Sequence, residues 1–520
     1  MINSSKRRGG RWPLYLSFVA ISAAAAASLF AMQGCKQRVA VSDPKATPED
    51  RRVIGAGVPW RLDPPVDEPL TFNDMEYRRA RAWDIVKSMT IEVPIGANGE
   101  LIPGFAPTGG KPQLPIWQTF YESEEFLEMM SRLYIGFGKD NRKAKARFCP
   151  ADLEQIFAKH AKRSLRGWTA ELLEQRLSQI KSAEEVRGVS GRGVTLFSPG
   201  LVRHLLDNYG PILECSRFPR DDFGPTGRLD NHSRCYRDEF PGVHGAEHTA
   251  KDEGLEHCTG ENGETPRSDP TVAGTAVAIK STWHAVGTAD VAVFDTSAEG
   301  MRKLLTGTGE WQPARTVKDG SIPADKVYTI QLKPSERKYQ LHGIHFTTKD
   351  VRDWMWVSLW WSPEPDEDFG ADRPAEFAGT PWANYKMCVT SHFEERDPAP
   401  WSHYERSHPS LAAALKVTHE WGAPYTWCSG PYTELGVGNA KTNCIGCHQH
   451  AGTPQNTDDI FLDVPTDPAN AARRAKFPHN SRSQVRRNFP GEYLWSFSHG
   501  PDFFESRIRG KTYEVDLTDR

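Results

Sequence analysis

Cys444, Cys447 and His448 stand near the C-terminus in the order Cys-x-x-Cys-His. Two thiols at this spacing can each add to one vinyl group of a porphyrin, and the histidine that follows can then ligate the iron. The pattern predicts one covalently bound haem c, with Cys444 and Cys447 as thioether attachment points and His448 as the proximal axial ligand. The motif occurs once in the chain, so one haem is expected.

Other uses of paired cysteines agree less well with the sequence. A thioredoxin-type pair usually follows a buried strand, whereas residues 436–443 are polar and contain glycine. A zinc site normally needs a second Cys or His pair at a short interval, and the chain has no second Cys-x-x-Cys. Haem attachment is also the interpretation that gives His448 a role.

The second axial ligand of the iron is left open by the sequence. No methionine follows Met387, which excludes the common arrangement with a downstream methionine. A histidine could complete the coordination, and bis-histidine ligation generally gives a lower potential than His/Met ligation. The iron could also be five-coordinate and open to a small ligand. The main candidates are His499, His479, His419 and Met387, with His403 and His408 as further upstream histidines.

The N-terminus has the pattern of a bacterial lipoprotein signal peptide. Basic residues at positions 6–8 precede an alanine-rich apolar run at 13–32, and Gly34 stands directly before Cys35. We therefore expect residues 1–35 to direct export and Cys35 to be acylated, with residues 36–69 as a tether. Lys36 lacks the acidic character of an inner-membrane retention signal, which favours an outer-membrane anchor facing the periplasm. Haem is attached outside the cytoplasmic membrane, so both ends of the chain predict the same compartment.

The remaining cysteines suit that oxidising compartment. Of nine cysteines, one is assigned to lipid and two to haem, which leaves an even set for disulfides. Fifteen sets of pairings of these cysteines are possible. Proximity along the chain predicts one pair among Cys215, Cys235 and Cys258, and a bridge between Cys388 and Cys428, one of the options, would tie the segment before the haem motif to the haem region. The six cysteines are Cys149, Cys215, Cys235, Cys258, Cys388 and Cys428.

Composition and periodicity predict an α+β protein. The net charge of −3 on 520 residues gives no reason to expect nucleic acid as a partner. Helical spacing of apolar residues predicts a helical region at 70–270 that includes a Cys- and His-rich excursion. Alternation predicts an antiparallel β domain at 271–398, and residues 399–520 are expected to form a c-type haem module of helices and loops.

Two groups of side chains in the predicted β domain bear on the haem. His342 and His345 lie three apart in a predicted strand, so they should point to opposite faces and not share a ligand. The tryptophans at 354–361 are most simply explained as side chains that pack on one face of the sheet. The alternative is that their rings line the haem site.

Four stretches resemble, in their order, a family of exported bacterial proteins described only as the cytochrome c family. The resemblance implies that the haem and the β-rich region form one unit. It is carried by LPIWQTF at 114–120, GIHF at 343–346 followed by WMW at 354–356, PWANYKMC at 381–388, and CIGCH at 444–448.

These observations predict an exported, lipid-anchored mono-haem cytochrome that transfers electrons to or from a partner protein or a small molecule. One alternative is a haem-dependent periplasmic oxidoreductase with a substrate site between the β domain and the haem. The other is a lipoprotein whose haem senses a ligand or redox state. The sequence names no substrate.

Overall fold

The structure, a computed structural model, describes the parts of the chain that surround one antiparallel sheet. The predicted signal peptide with Cys35, the candidate ligands His479 and His499, and four of the six spare cysteines lie outside the described residues. The described residues are 66–94, 105–106, 113–122, 126, 194–202, 205, 276–332, 338–351, 354–392, 395–421, 427–436, 438–441, 443–448, 452–453, 489–490 and 494.

The described ranges contain fourteen strands of two to eleven residues. They are β1 (Glu92–Pro94), β2 (Phe105–Ala106), β3 (Gln113–Pro115), β4 (Tyr121–Glu122), β5 (Val194–Phe197), β6 (Val277–Ala285), β7 (Val291–Val293), β8 (Arg315–Val317), β9 (Thr329–Leu332), β10 (Lys338–Thr348), β11 (Met355–Trp361), β12 (Tyr385–Thr390), β13 (Gly452–Thr453) and β14 (Phe489–Pro490).

Eight of these strands form the main sheet, in which every described pairing is antiparallel. Its order is β12-β11-β10-β6-β5-β4, and β9 joins β10 and β2. β1 pairs with β3, β7 with β8, and β13 with β14 in two-stranded sheets. Helices and an antiparallel sheet together confirm the α+β class. Strands predicted from alternation at 277–283, 291–294, 328–332, 342–346 and 351–361 correspond to β6, β7, β9, β10 and β11.

The sheet also takes strands from the region that the sequence assigned to helices. β2, β4 and β5 all lie between residues 70 and 270, and they extend the sheet beyond β6 and β9. These strands are two to four residues long. Such short runs carry no periodic signal, and only pairing with a neighbouring strand stabilises them.

The α-helices cover the sheet and begin at recognisable caps. In the second helix the Asp74 carboxylate accepts from the Tyr77 backbone N–H at 3.0 Å, and Ser297 caps the third in the same way from Gly300 at 3.2 Å. The helix predicted near 410–419 is confirmed, whereas that predicted at 467–477 lies outside the described residues. The helices are α1 (Glu68–Asn73), α2 (Met75–Met89), α3 (Ala298–Thr306), α4 (Pro409–Trp421) and α5 (Cys444–His448).

Single turns of 3-10 helix complete the connections, at Ile116–Thr119, Asp368–Gly370, Ala375–Phe377, Pro381–Asn384 and Asn439–Lys441. None of the helices in the described ranges is both long enough and apolar enough to cross a membrane.

Candidate functional site

A row of polar side chains crosses one face of the main sheet. The register places Thr195 opposite Lys280, Lys280 opposite His345, His345 opposite Ser358, and Ser358 opposite Cys388. Residues directly opposite one another point to the same face, so these five side chains form a continuous polar row. Because strand side chains alternate, their chain neighbours point to the other face, where the residues are mostly apolar.

The chain segment 427–434 lies over the polar row. A disulfide joins Cys388 of β12 to Cys428, with their Cα atoms 5.3 Å apart, which is one of the pairings that the sequence left open. Gly430 approaches the sheet so closely that an added Cβ would lie 2.4 Å from Ser358 Oγ and 3.0 Å from His345 Nε2. Only glycine fits here without displacing these side chains.

Replacing Gly430 with Ala is therefore expected to destabilise the protein by about 1–3 kcal/mol, because the new methyl group overpacks the contact with β11. Gly343→Ala is the matched control, since its Cβ would approach no atom closer than 3.1 Å. Chemical denaturation should show a smaller loss for the control. Equal losses of stability in the two variants would contradict the prediction that Gly430 packs more closely on the sheet than Gly343 does on its neighbours.

Helix α5 places the haem-attachment motif beside this segment. Cys444 is buried, and its Sγ lies 3.6 Å from the Cys428 carbonyl oxygen. The His448 ring packs on Trp356 of β11, with ring centroids 4.4 Å apart and planes tilted by 50°. Residues four apart share one face of a helix, so Cys444 and His448 are presented to the same side. Cys447 lies in the same turn.

Glu434 is the acidic group nearest to the motif. Its Oε2 accepts from the Gly430 backbone N–H at 2.5 Å. Its Oε1 lies 3.9 Å from Cys444 Sγ and 3.5 Å from His345 Nε2. We call Glu434, His345, Lys280 and Cys444 the Glu434 cluster.

Burial dominates the acid–base behaviour of this cluster. Burial raises the pKa of Glu434, although the Gly430 N–H and Lys280 oppose the rise. Burial, with help from Lys280 and His448, holds the pKa of His345 well below its usual range. The pKa of Lys280 is lowered by burial against the attraction of Glu434 and Cys444. The environment therefore favours the neutral form of each group.

The residues present fit a covalently attached haem. Cys444, Cys447 and His448 lie within one helical turn, as attachment to a single porphyrin would require. Trp356 packs against the His448 ring at a tilt of 50°, and His448 remains partly exposed. Cys444 and Cys447 would hold the group and His448 would ligate its iron.

The structure does not bring the described candidates for the second axial ligand to α5. Met387 is fully buried, and its chain neighbour Cys388 belongs to the polar row, so the Met387 side chain points to the opposite face. His419, in α4, packs on Trp401 with ring centroids 5.0 Å apart. His403 and His408 contact Tyr404.

His345 is the histidine that the sequence analysis did not assign to the site. Its Nε2 is buried and has no hydrogen-bond partner among the described residues. His342, three positions earlier in β10, stacks on His284 and Trp361. The signal that identifies His345 is its register with Lys280 and Ser358, which the sequence does not contain.

The tryptophans at 354–361 are all buried, as predicted for a packed sheet. Trp356 does more than pack, since it also contacts His448. Within the described ranges no group of three or more His, Cys, Asp or Glu side chains is arranged to hold a metal ion. No protein-family model, curated protein or solved structure matches the chain.

Proposed function

We propose that this protein is an exported, lipid-anchored cytochrome with one haem c, and that it carries single electrons between redox partners. Cys444 and Cys447 would hold the haem and His448 would ligate its iron from α5. The observation that carries the proposal is the placement of Cys444 and His448 on one helical turn, with Cys444 buried and His448 packed on Trp356.

When bound, haem supplies an iron that gains and loses one electron without leaving the protein. Residues of the chain would hold the surroundings of the haem in the same arrangement in the oxidised and the reduced protein. Trp356 holds the His448 ring in place, and the Cys388–Cys428 disulfide anchors the segment that covers Cys444. Rigid surroundings of this kind need little rearrangement when the charge changes.

The compartment is supported by two separate features. The disulfide between Cys388 and Cys428 is of a kind that persists in oxidising compartments. The lipoprotein pattern that ends at Cys35 would direct the chain to the periplasmic side and anchor it, we propose, in the outer membrane. In this proposal a downstream histidine, His479 or His499, supplies the second axial ligand.

Covalent attachment is the direct test of the proposed function. Coexpressed with the cytochrome c maturation machinery, the protein should retain haem through denaturing electrophoresis, detected by the peroxidase activity of haem in the gel. Cys444→Ala/Cys447→Ala should abolish the retained haem. The control, Cys35→Ala, should keep the haem and lose the lipid. Denatured wild-type protein without bound haem would overturn the proposal.

A haem-dependent oxidoreductase is the second candidate, favoured by the acid–base groups of the Glu434 cluster beside α5. Carbon monoxide added to the reduced protein distinguishes the two functions. A carrier with two axial ligands should show a low-spin spectrum that does not change. A shifted spectrum would show a ligand-accessible iron and favour the enzyme or a haem-based sensor.

A further inference from the structure

We infer that Glu434 takes up a proton when the haem iron is reduced and releases it when the iron is oxidised. Electron transfer by this protein would then be coupled to proton transfer at a residue outside the haem-attachment motif. The inference rests on the proposed function.

The position of Glu434 carries the inference. Its Oε1 lies 3.9 Å from Cys444 Sγ, which becomes a thioether sulfur bonded to the porphyrin once haem is attached. The charge of the iron would shift the pKa of a carboxyl group beside the porphyrin, because the medium between them is partly buried. By Coulomb's law, one unit charge about 10 Å away changes the proton affinity of such a group about tenfold.

Several groups act on the protonation of Glu434. Burial favours the carboxylic acid and raises the pKa, whereas the Gly430 N–H and Lys280 of β6 favour the carboxylate. His345 of β10 faces the same Oε1 atom. A change of one charge at the iron would add to these effects and shift the pKa of Glu434 further.

The Glu434 side chain is partly exposed, at 20% compared with 10% for His345, so it is the more accessible of these two titratable groups. On reduction, an external one-electron donor gives one electron to ferric iron, and solvent gives one proton to the Glu434 carboxylate. The charge of the site as a whole is unchanged, and oxidation reverses both transfers.

Potentiometric titration over a range of pH tests the inference on the haem-loaded protein. The midpoint potential of the wild type should fall by about 59 mV in all as pH rises through the pKa of Glu434, which is the shift that a tenfold change in proton affinity gives for one electron. Glu434→Gln keeps an oxygen for the Gly430 N–H but cannot titrate, and should flatten the slope. Glu299→Gln, on the exposed surface of α3, is the control and should keep the wild-type slope.

Three results would overturn the inference: a wild-type potential that does not depend on pH, an unchanged slope in Glu434→Gln, or a slope lost in His345→Gln but kept in Glu434→Gln. Should Glu434→Gln fail to fold, redox-difference infrared spectroscopy of the wild type decides. A carboxylic-acid band must then appear on reduction, and its absence overturns the inference. Failure of the proposed function would be seen separately, as wild-type protein without covalent haem.

Discussion

Arg79→Ala is expected to lower the free energy of unfolding by about 3–5 kcal/mol, the usual cost of removing one partner from a buried ion pair. The Arg79 guanidinium is almost completely buried and donates to both oxygens of Asp372, each at 2.6 Å. It also donates to the backbone carbonyls of Met387 at 2.8 Å and Phe369 at 3.0 Å. The variant would leave these acceptors without their donor.

Arg79 also supports the candidate site. It bonds α2 to β12 through the Met387 carbonyl, and Cys388 of β12 is joined by the disulfide to the segment 427–434. Chemical denaturation followed by tryptophan fluorescence measures the loss. Lys87→Ala is the matched control on the same helix, because the ion pair of Lys87 with Glu376 is largely exposed and should contribute little. Equal unfolding midpoints in the two variants would refute the prediction.

The same ion pair predicts a dependence on pH. Burial alone would raise the pKa of Asp372, but Arg79 outweighs burial and brings that pKa below its ordinary value. A carboxyl group with a lowered folded-state pKa contributes stability above its unfolded pKa and loses it as pH falls through the folded pKa. Wild-type stability should therefore decline in acid through this pair. The free energy of unfolding of Arg79→Ala should fall less steeply in acid, because the variant lacks the ion pair with Asp372.

Cys388→Ala/Cys428→Ala is expected to lower the free energy of unfolding by about 4 kcal/mol in the chain-entropy account of cross-links. The bridge spans 40 residues, so the unfolded chain gains considerable freedom when it is removed. Both cysteines are buried, and no other covalent link among the described residues ties the segment 427–434 to the sheet. Unfolding midpoints of the double variant and the wild type measure the effect.

Ser429→Ala is the control for the disulfide prediction, because Ser429 is buried in the same segment and accepts a hydrogen bond from Trp311 Nε1 at 3.0 Å. The Ser429 side chain also hydrogen-bonds Glu434, and removing both bonds should cost about 2 kcal/mol, less than removing the cross-link. A double cysteine variant no less stable than Ser429→Ala would show that the bridge does not stabilise the folded chain.

Several features were predictable from the sequence because they depend on local chemistry. Alternating apolar residues predicted β6 and β10. The number of cysteines allowed several pairings, of which the structure contains the disulfide of Cys388 with Cys428. The short strands β2, β4 and β5 were not predicted, because runs of two to four residues have no period to detect.

The sequence by itself determined the spacing of Cys444, Cys447 and His448, from which haem attachment is predicted. Only the tertiary structure decided what surrounds that motif. His345 and Glu434 are 89 positions apart in the numbering, yet strand register and the disulfide bring them within 3.5 Å. Register is set by pairing between distant strands and by packing on both faces, which no local pattern encodes.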